Sequence, residues 1–226
     1  MSDFRFPAII INFKAYSEVE GDNALRIALA CQSVSEESGI NIIACPPMTE
    51  LSRVARAVSI PVMAQSADPK PPGPHTGWVT PEMIKSAGAI GTLVNHSEHR
   101  LAYEEVAKVV EGSRKIGILI CVCADTAETT GKMALLRPDM VAVEPPELIG
   151  GDVSVTDARP EVVSDAVAAA SLRGDATVPV LCGAGVKTGK DVKRALELGT
   201  RGVLLASGVV KSKDPRKSLQ DLVSLI

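Results

Sequence analysis

Short apolar runs alternate along the chain with longer stretches in which apolar positions recur every three to four residues. The runs are Ala8–Phe13, Ile40–Cys45, Pro61–Gln65, Ile90–Asn95, Ile116–Cys123, Met140–Glu144, Val178–Leu181 and Gly202–Ala206. Their length and their richness in Val, Ile and Leu suit strands buried on both faces, as in a parallel sheet. Between them, Ala24, Ile27, Ala28, Cys31 and Val34 form one helical stripe, and Leu101, Val106, Val109 and Val110 a second. Val162, Val163, Ala166, Val167 and Ala170 give a third, and Leu219, Leu222, Val223 and Ile226 close the chain. Eight strand–helix units over 226 residues come to about 28 residues each, a workable βα module. The expectation is one α/β domain, residues 1–226, folded as a (β/α)8 barrel with a closed, parallel, eight-stranded sheet inside a ring of helices. An open doubly wound sheet is disfavoured, because no G-x-G-x-x-G follows the first strand.

Composition narrows the function classes. Apolar residues make up 46% of the chain and aromatics 3%, so the core must be built from Val, Ile, Leu and Ala. A net charge of −3, with no Lys/Arg-rich run, gives no footprint for nucleic acid or an anionic membrane surface. The longest apolar stretches are too short to span a bilayer, and no signal-peptide core precedes the first strand. The expected setting is cytoplasmic. Five cysteines without paired C-x-x-C spacing argue against a disulfide framework and against a zinc site. Cys121 and Cys123, two apart in a strand, share a face and should pack there. His96 and His99 have no further ligand cluster beside them, so no metal and no cofactor are expected.

In barrels of this class the functional residues gather where strands end and the next loops begin. The first strand ends Ile11-Asn12-Phe13-Lys14, and alternation turns Asn12 and Lys14 to one face and Phe13 to the other. An amide and an ammonium in a pocket suit an anionic ligand, although a snorkelling lysine at an ordinary strand end has the same spelling. The fourth strand ends Asn95-His96-Ser97-Glu98, with a helix expected from about His99-Arg100. An imidazole at a helix N-terminus is favoured in its neutral form and can donate to a carbonyl oxygen; Ser97 and Glu98 also read as caps. The sixth strand delivers Glu144, and Pro145-Pro146-Glu147-Leu148-Ile149-Gly150-Gly151 follows as a stiff exit and a glycine-ended segment, the pattern of a base at the root of a lid. Two small-residue segments, Cys182-Gly183-Ala184-Gly185-Val186 and Leu205-Ala206-Ser207-Gly208-Val209, follow late strands. There backbone N–H groups can approach an anion, and loops after the seventh and eighth strands are the usual phosphate site of such barrels. The proline-rich connection from Ser66 to Val79 carries Trp78, whose exposed position on a projecting loop would suit a protein interface.

Asn12-x-Lys14, Asn95-His96-Ser97-Glu98, Glu144-Pro145-Pro146 and the two late loops together resemble the triosephosphate isomerase family, in the same order and over essentially the whole chain. The short length and the Glu-Pro-Pro-Glu-Leu-Ile-Gly lid resemble its compact archaeal branch. The resemblance implies a TIM barrel, a triose phosphate substrate, and interconversion of dihydroxyacetone phosphate and D-glyceraldehyde 3-phosphate through an enediolate; the neutral-histidine chemistry of this family is a standard case of acid–base tuning. Carried over by motif, Glu144 is the base, His96 the neutral electrophile, Lys14 the positive charge, Asn12 an orienting group and Glu98 a holder of its neighbours. Asn12, Phe13, Lys14, Ile149, Gly150, Gly183, Ala184, Gly185, Ala206 and Ser207 form the implied substrate-binding set. The Thr76-Gly77 loop resembles the interlocking dimer loop, and the compact branch is associated with homotetramers. Two departures stand out: Pro146-Glu147 replaces an apolar–aromatic pair in the lid, and Trp78 replaces a charged residue.

Overall fold

The structure, a computed structural model, describes residues 4–145 and 155–226, without the side chains of Val155 and Asp157. Its strands are β1 (Ala8–Asn12), β2 (Asn41–Cys45), β3 (Met63–Ala64), β4 (Gly91–Val94), β5 (Leu119–Ala124), β6 (Met140–Val143), β7 (Val180–Gly183) and β8 (Gly202–Leu205). All pair in parallel, in the order β2-β1-β8-β7-β6-β5-β4-β3. A lone parallel bridge, Ala44 to Val62, brings the two edges together and closes the barrel. That seam is thin for a local reason. Pro61 accepts a bond from the Ala44 N–H at 3.1 Å but has no N–H to return, so the ladder gains only two residues of β3. The Gln65 side chain extends it instead, donating from Nε2 to the Cys45 carbonyl at 3.0 Å.

The helices that wrap the sheet begin and end where local chemistry dictates. α1 (Asp22–Ser38) buries the expected stripe Ala24, Ile27, Ala28, Cys31 and Val34 and stops at Gly39, whose φ of 72° suits glycine. α2 (Leu51–Ala57) and α3 (Pro81–Ser86) follow, the latter capped by the Thr80 hydroxyl with Pro81 in its first turn. α4 (Tyr103–Ile116) starts later than the sequence suggested, with the Glu105 carboxylate accepting from the Ala102 N–H at 3.0 Å. It also absorbs Ile116, which the apolar run had assigned to a strand: Gly117, at φ 71°, ends the helix, and β5 begins only at Leu119. α5 (Ala127–Ala134), α6 (Val155–Ala158), α7 (Pro160–Arg173), α8 (Gly189–Glu197), α9 (Ser207–Val210) and α10 (Pro215–Val223) complete the ring.

Strand alternation sorts the core into two concentric layers. Inside the barrel lie Ala8 and Ile10 of β1, Ile43 and Cys45 of β2, Met63, Leu93, Cys121 and Cys123, Met140 and Ala142, Leu181 and Leu204. The intervening residues, such as Ile9, Ile11, Ile42, Val122, Val141 and Val203, pack outward against the helices. No helix among the described residues is long and apolar enough to cross a membrane.

Candidate active site

The inward-facing lines of the strands are apolar until their C-terminal ends. Ala8 and Ile10 are followed on the same face by Asn12; Met140 and Ala142 by Glu144; Leu181 by Gly183. The polar atoms therefore emerge on top of a packed plug, in the mouth of the barrel. Asn12, Lys14, His96 and Glu144 line one small cavity there, of about 40 Å³, with Ala184, Gly185, Ala206 and Ser207 on its far wall. Asn12, His96 and Glu144 are buried.

Glu144 sits with Oε1 3.5 Å from Nε2 of His96, while its Oε2 is buried and accepts no hydrogen bond from any described residue. An orphaned buried carboxylate oxygen is costly unless something else uses it. His96 accepts a bond at Nδ1 from the backbone N–H of Glu98, at 3.1 Å. An Nδ1 that accepts carries no proton, so the neutral ring holds its hydrogen on Nε2, pointing toward Glu144 and the cavity. The source of that bond corrects one expectation. α4 does not begin at His99; residues 96–99 form a turn, closed by the His99 N–H on the His96 carbonyl at 2.8 Å. A single aimed amide, not a helix dipole, fixes the tautomer.

Lys14 reaches across to Glu98, Nζ to Oε1 at 2.7 Å, which holds the ammonium at the cavity edge while Glu98 itself stays largely exposed. The Lys14 backbone is left-handed, φ 54°, a conformation that costs a non-glycine residue roughly 1–2 kcal/mol. Two bonds hold it there: the Lys14 N–H donates to Oδ1 of Asn12 at 3.0 Å, and Nε2 of Gln65 donates to the Lys14 carbonyl at 3.0 Å. Asn95, also left-handed at φ 61°, is pinned by Nδ2 on the Cys123 carbonyl (2.9 Å) and by the Leu101 N–H on its Oδ1 (3.0 Å). Ala184 and Gly185 are left-handed in succession, φ 74° and 72°, which turns the chain after β7 at the cavity wall.

Other residues of the implied set lie elsewhere. Phe13 is fully buried in the outer layer and does not line the cavity, as strand alternation requires. Gly183 lies beneath Glu144: a Cβ there would overlap Glu144 Cγ, so glycine leaves room for the acid side chain. Ile149 and Gly150, with the rest of the expected lid from Pro146 to Gly151, fall outside the described residues. Sequence reasoning missed Gln65, Asn95 as an anchor, and Tyr16 and Lys187, which also line the cavity. Gln65 ended a predicted strand, and its position next to a seam was the available clue.

The thiols near the mouth are poor nucleophiles. Burial pushes Cys182 up to about 12, helped by the charges of Asp191 and Glu144. Cys123 is held well above the ordinary thiol range by its hydrogen bond with Cys121, by burial and by the Glu144 charge. All five cysteines are free and buried. No group of three or more His, Cys, Asp or Glu side chains among the described residues is placed to hold a metal ion.

Fold and mouth together define a (β/α)8-barrel enzyme built around a buried carboxylate and a neutral imidazole, with small-residue turns facing them. Comparison with known proteins makes the class specific. The family described as triosephosphate isomerase matches residues 7–226. Relatives of that name include one from Methanothermus fervidus, 49% identical over 218 residues, which span 96% of this chain and 98% of that protein. Another, from Methanopyrus kandleri, is 48% identical over 222 residues, 97% of this chain and 98% of that one. The crystal structure of triosephosphate isomerase from Bartonella henselae superposes with a TM-score of 0.71, covering 96% and 99% of the two chains at 23% identity, a likeness of fold. The chain belongs to the triosephosphate isomerase family.

Proposed function

We infer that the protein interconverts dihydroxyacetone phosphate and D-glyceraldehyde 3-phosphate, with Glu144 moving the proton between carbons and His96 serving the oxygens. The reading rests above all on Glu144 Oε2, a buried acceptor without a partner among the described residues, beside a ring whose Nε2–H faces the same cavity. Glu144 takes a proton from C1 of the ketose as the Nε2–H of His96 donates to the C2 carbonyl oxygen. The C1–C2 double bond of the enediolate forms with no change in overall electron count. His96 then relays hydrogen between the two oxygens, and Glu144 returns its proton at C2. The Lys14 ammonium, fixed by Glu98, offsets the negative charge that develops on oxygen. Asn12 both lines the cavity and braces Lys14. Backbone amides of Ala184-Gly185 and Ala206-Ser207, residues that line the cavity, take the phosphate in this reading, with Ile149 and Gly150 assigned the same task from sequence. A coupled assay in which glyceraldehyde 3-phosphate is oxidised as it forms tests the activity directly. Failure to turn over dihydroxyacetone phosphate, in protein shown to be folded, would rule the reading out.

We assign the cytoplasm as its site of action and a homo-oligomer as its working form. The dimer contact is the Thr76-Gly77 loop, where Gly77 is left-handed at φ 88° and Trp78 remains 43% exposed with Lys70 over its ring at 4.7 Å. Two such dimers would make the tetramer. Analytical ultracentrifugation decides: a monomeric chain at micromolar concentration, or an assembly unaffected by Trp78→Glu, would remove the loop from the interface.

A further inference from the structure

We propose that a slot at the N-terminal ends of β4, β5 and β6, at the end of the barrel away from Glu144, is a second ligand site that takes a small organic anion with an apolar body, an aliphatic carboxylate. The slot has a volume of about 310 Å³, against about 40 Å³ at the mouth, and so enters the size range of small-molecule pockets, which starts at roughly 300 Å³. Its walls are apolar: Ile90, Val110, Ile118 and Ile120 face it. Its polar groups are mainly cationic, with Lys85, Arg114 and Arg137 set against Asp139 alone, and the Asp139 carboxylate is already engaged by the Ile120 N–H at 2.8 Å.

Those cations are preorganised. Arg114 NH2 donates to the Leu136 and Arg137 carbonyls at 2.9 and 2.8 Å, and Lys85 Nζ donates to the Ile116 carbonyl. Each therefore caps the end of a helix and is fixed in place, with the Asp139 and Glu111 carboxylates near enough to Arg114 to feel its charge. Among the described residues neither has a carboxylate within ion-pairing distance, and the Nε and NH1 donors of Arg114 have no acceptor. Arg137 binds Asp175 through Nε at 2.8 Å, and among the described residues its two terminal nitrogens have no ion-pair partner. Guanidinium donors left over beside apolar walls suit a carboxylate with a hydrocarbon tail: its head takes those donors, and its tail covers the isoleucines. None of these groups serves the chemistry at the mouth, and the site stands whether or not the isomerase assignment holds.

Titration of the intact protein with octanoate, followed by calorimetry and by thermal shift in the presence of saturating triose phosphate, tests the proposal. The expected result is saturable binding of one octanoate per chain, tighter than acetate by tenfold or more, and absent for octan-1-ol and for inorganic phosphate. Arg114→Gln and Arg137→Gln should each weaken octanoate by roughly tenfold, the effect of a lost charge-assisted bond, while the rate of isomerisation stays unchanged. Because Arg114 also caps a helix, Arg137→Gln, at a largely exposed side chain, serves as the variant that keeps its fold. Equal binding of octan-1-ol, displacement of octanoate by triose phosphate, undiminished binding by both variants, or loss of binding as the chains associate at higher concentration would each overturn it.

Discussion

The two ends of the barrel are built from the same strands under opposite rules. At the C-terminal ends Lys14, Asn95 and Ala184 hold left-handed backbone, Glu144 Oε2 lies buried without a partner among the described residues, and the Gln65 and Asn95 side-chain amides donate to backbone carbonyls. At the N-terminal ends the inward positions are Ala8, Met63 and Met140; Arg137, just before β6, is also left-handed at φ 54°, and glycines let strands approach. A Cβ at Gly91 would lie 2.5 Å from the Leu119 carbonyl oxygen, and one at Gly202 would overlap that of Ala8. Strain of ~1–2 kcal/mol per left-handed residue is tolerable at the mouth because the side chains of the plug beneath are fully buried against one another. The lesson is a division of labour: packing at one end holds an unfavourable constellation rigid at the other.

The sharpest way to break that picture is Glu144→Gln. The variant keeps the shape and removes the proposed base, so kcat should fall by a factor of about 10³–10⁴ with KM nearly unchanged. Stability should hold or rise, since a buried charge with an unpaired oxygen disappears. Steady-state kinetics beside thermal unfolding gives both numbers. Near-normal turnover, or a matching collapse of stability, would contradict the assignment of mouth residues to chemistry and lower residues to folding.

Adding one methyl group at each end sharpens the same contrast. Gly183→Ala pushes against Glu144 Cγ, and a base displaced by about 1 Å costs on the order of 10²-fold in kcat, with a small loss of stability. Gly202→Ala sets a methyl against the Ala8 backbone at φ 150°, where the strand has no slack. It should destabilise by roughly 3 kcal/mol while the surviving folded protein keeps its kcat. If the two variants exchange phenotypes, the ends are not functionally distinct.

Much of this was legible before any coordinates. Every apolar run overlaps a strand, and α1 buries the five residues that its spacing named. Period-two alternation turned Asn12 to the face opposite Phe13, and the end of the sixth apolar run marked Glu144. What could not be read depends on contacts distant in sequence or on the competition between neighbouring elements. Ile116 and Ile118 flank a glycine whose positive φ decides where helix yields to strand, and apolarity does not encode that angle. Small residues after β7 read as a phosphate turn, and the same spelling hides the close approach of Gly183 to the Glu144 side chain, which lies 39 residues away in sequence. Gln65 was invisible as a brace, since its partners Lys14 and Cys45 lie 51 and 20 residues away.

Gln65→Ala tests that brace at a smaller scale. The variant loses bonds to the Lys14 and Cys45 carbonyls and leaves the strained Lys14 held only through its N–H. Lys14 should then sample other conformations, lowering kcat/KM by about tenfold, at ~1–2 kcal/mol per relaxed bond and strain term. A Gln65→Glu variant separates position from packing, because a carboxylate of the same size can only repel the two carbonyls. Equal activity in Gln65→Ala and the parent chain would show that β1 alone sets the lysine.

Polarity at the mouth is not by itself a mark of chemistry, and Thr188→Ala is the mildest check on that point. Thr188 follows the turn after β7, a few residues from Ala184, yet its bonds are those of a helix cap. Its hydroxyl accepts from the Asp191 N–H at 3.4 Å and meets Asp191 Oδ2 at 2.9 Å, while the Lys187 and Thr188 N–H groups donate to that same carboxylate at 2.9 and 2.8 Å. Removing the hydroxyl leaves the two backbone bonds to Asp191 intact, so the turn keeps its shape. The loss should be about 1 kcal/mol, a fall in Tm of roughly 2–4 °C for a chain of this length. Turnover should stay within twofold of the parent, because no atom of Thr188 lines the cavity. A tenfold loss of kcat without a change in Tm would place the cap, and with it α8, inside the machinery that holds the substrate.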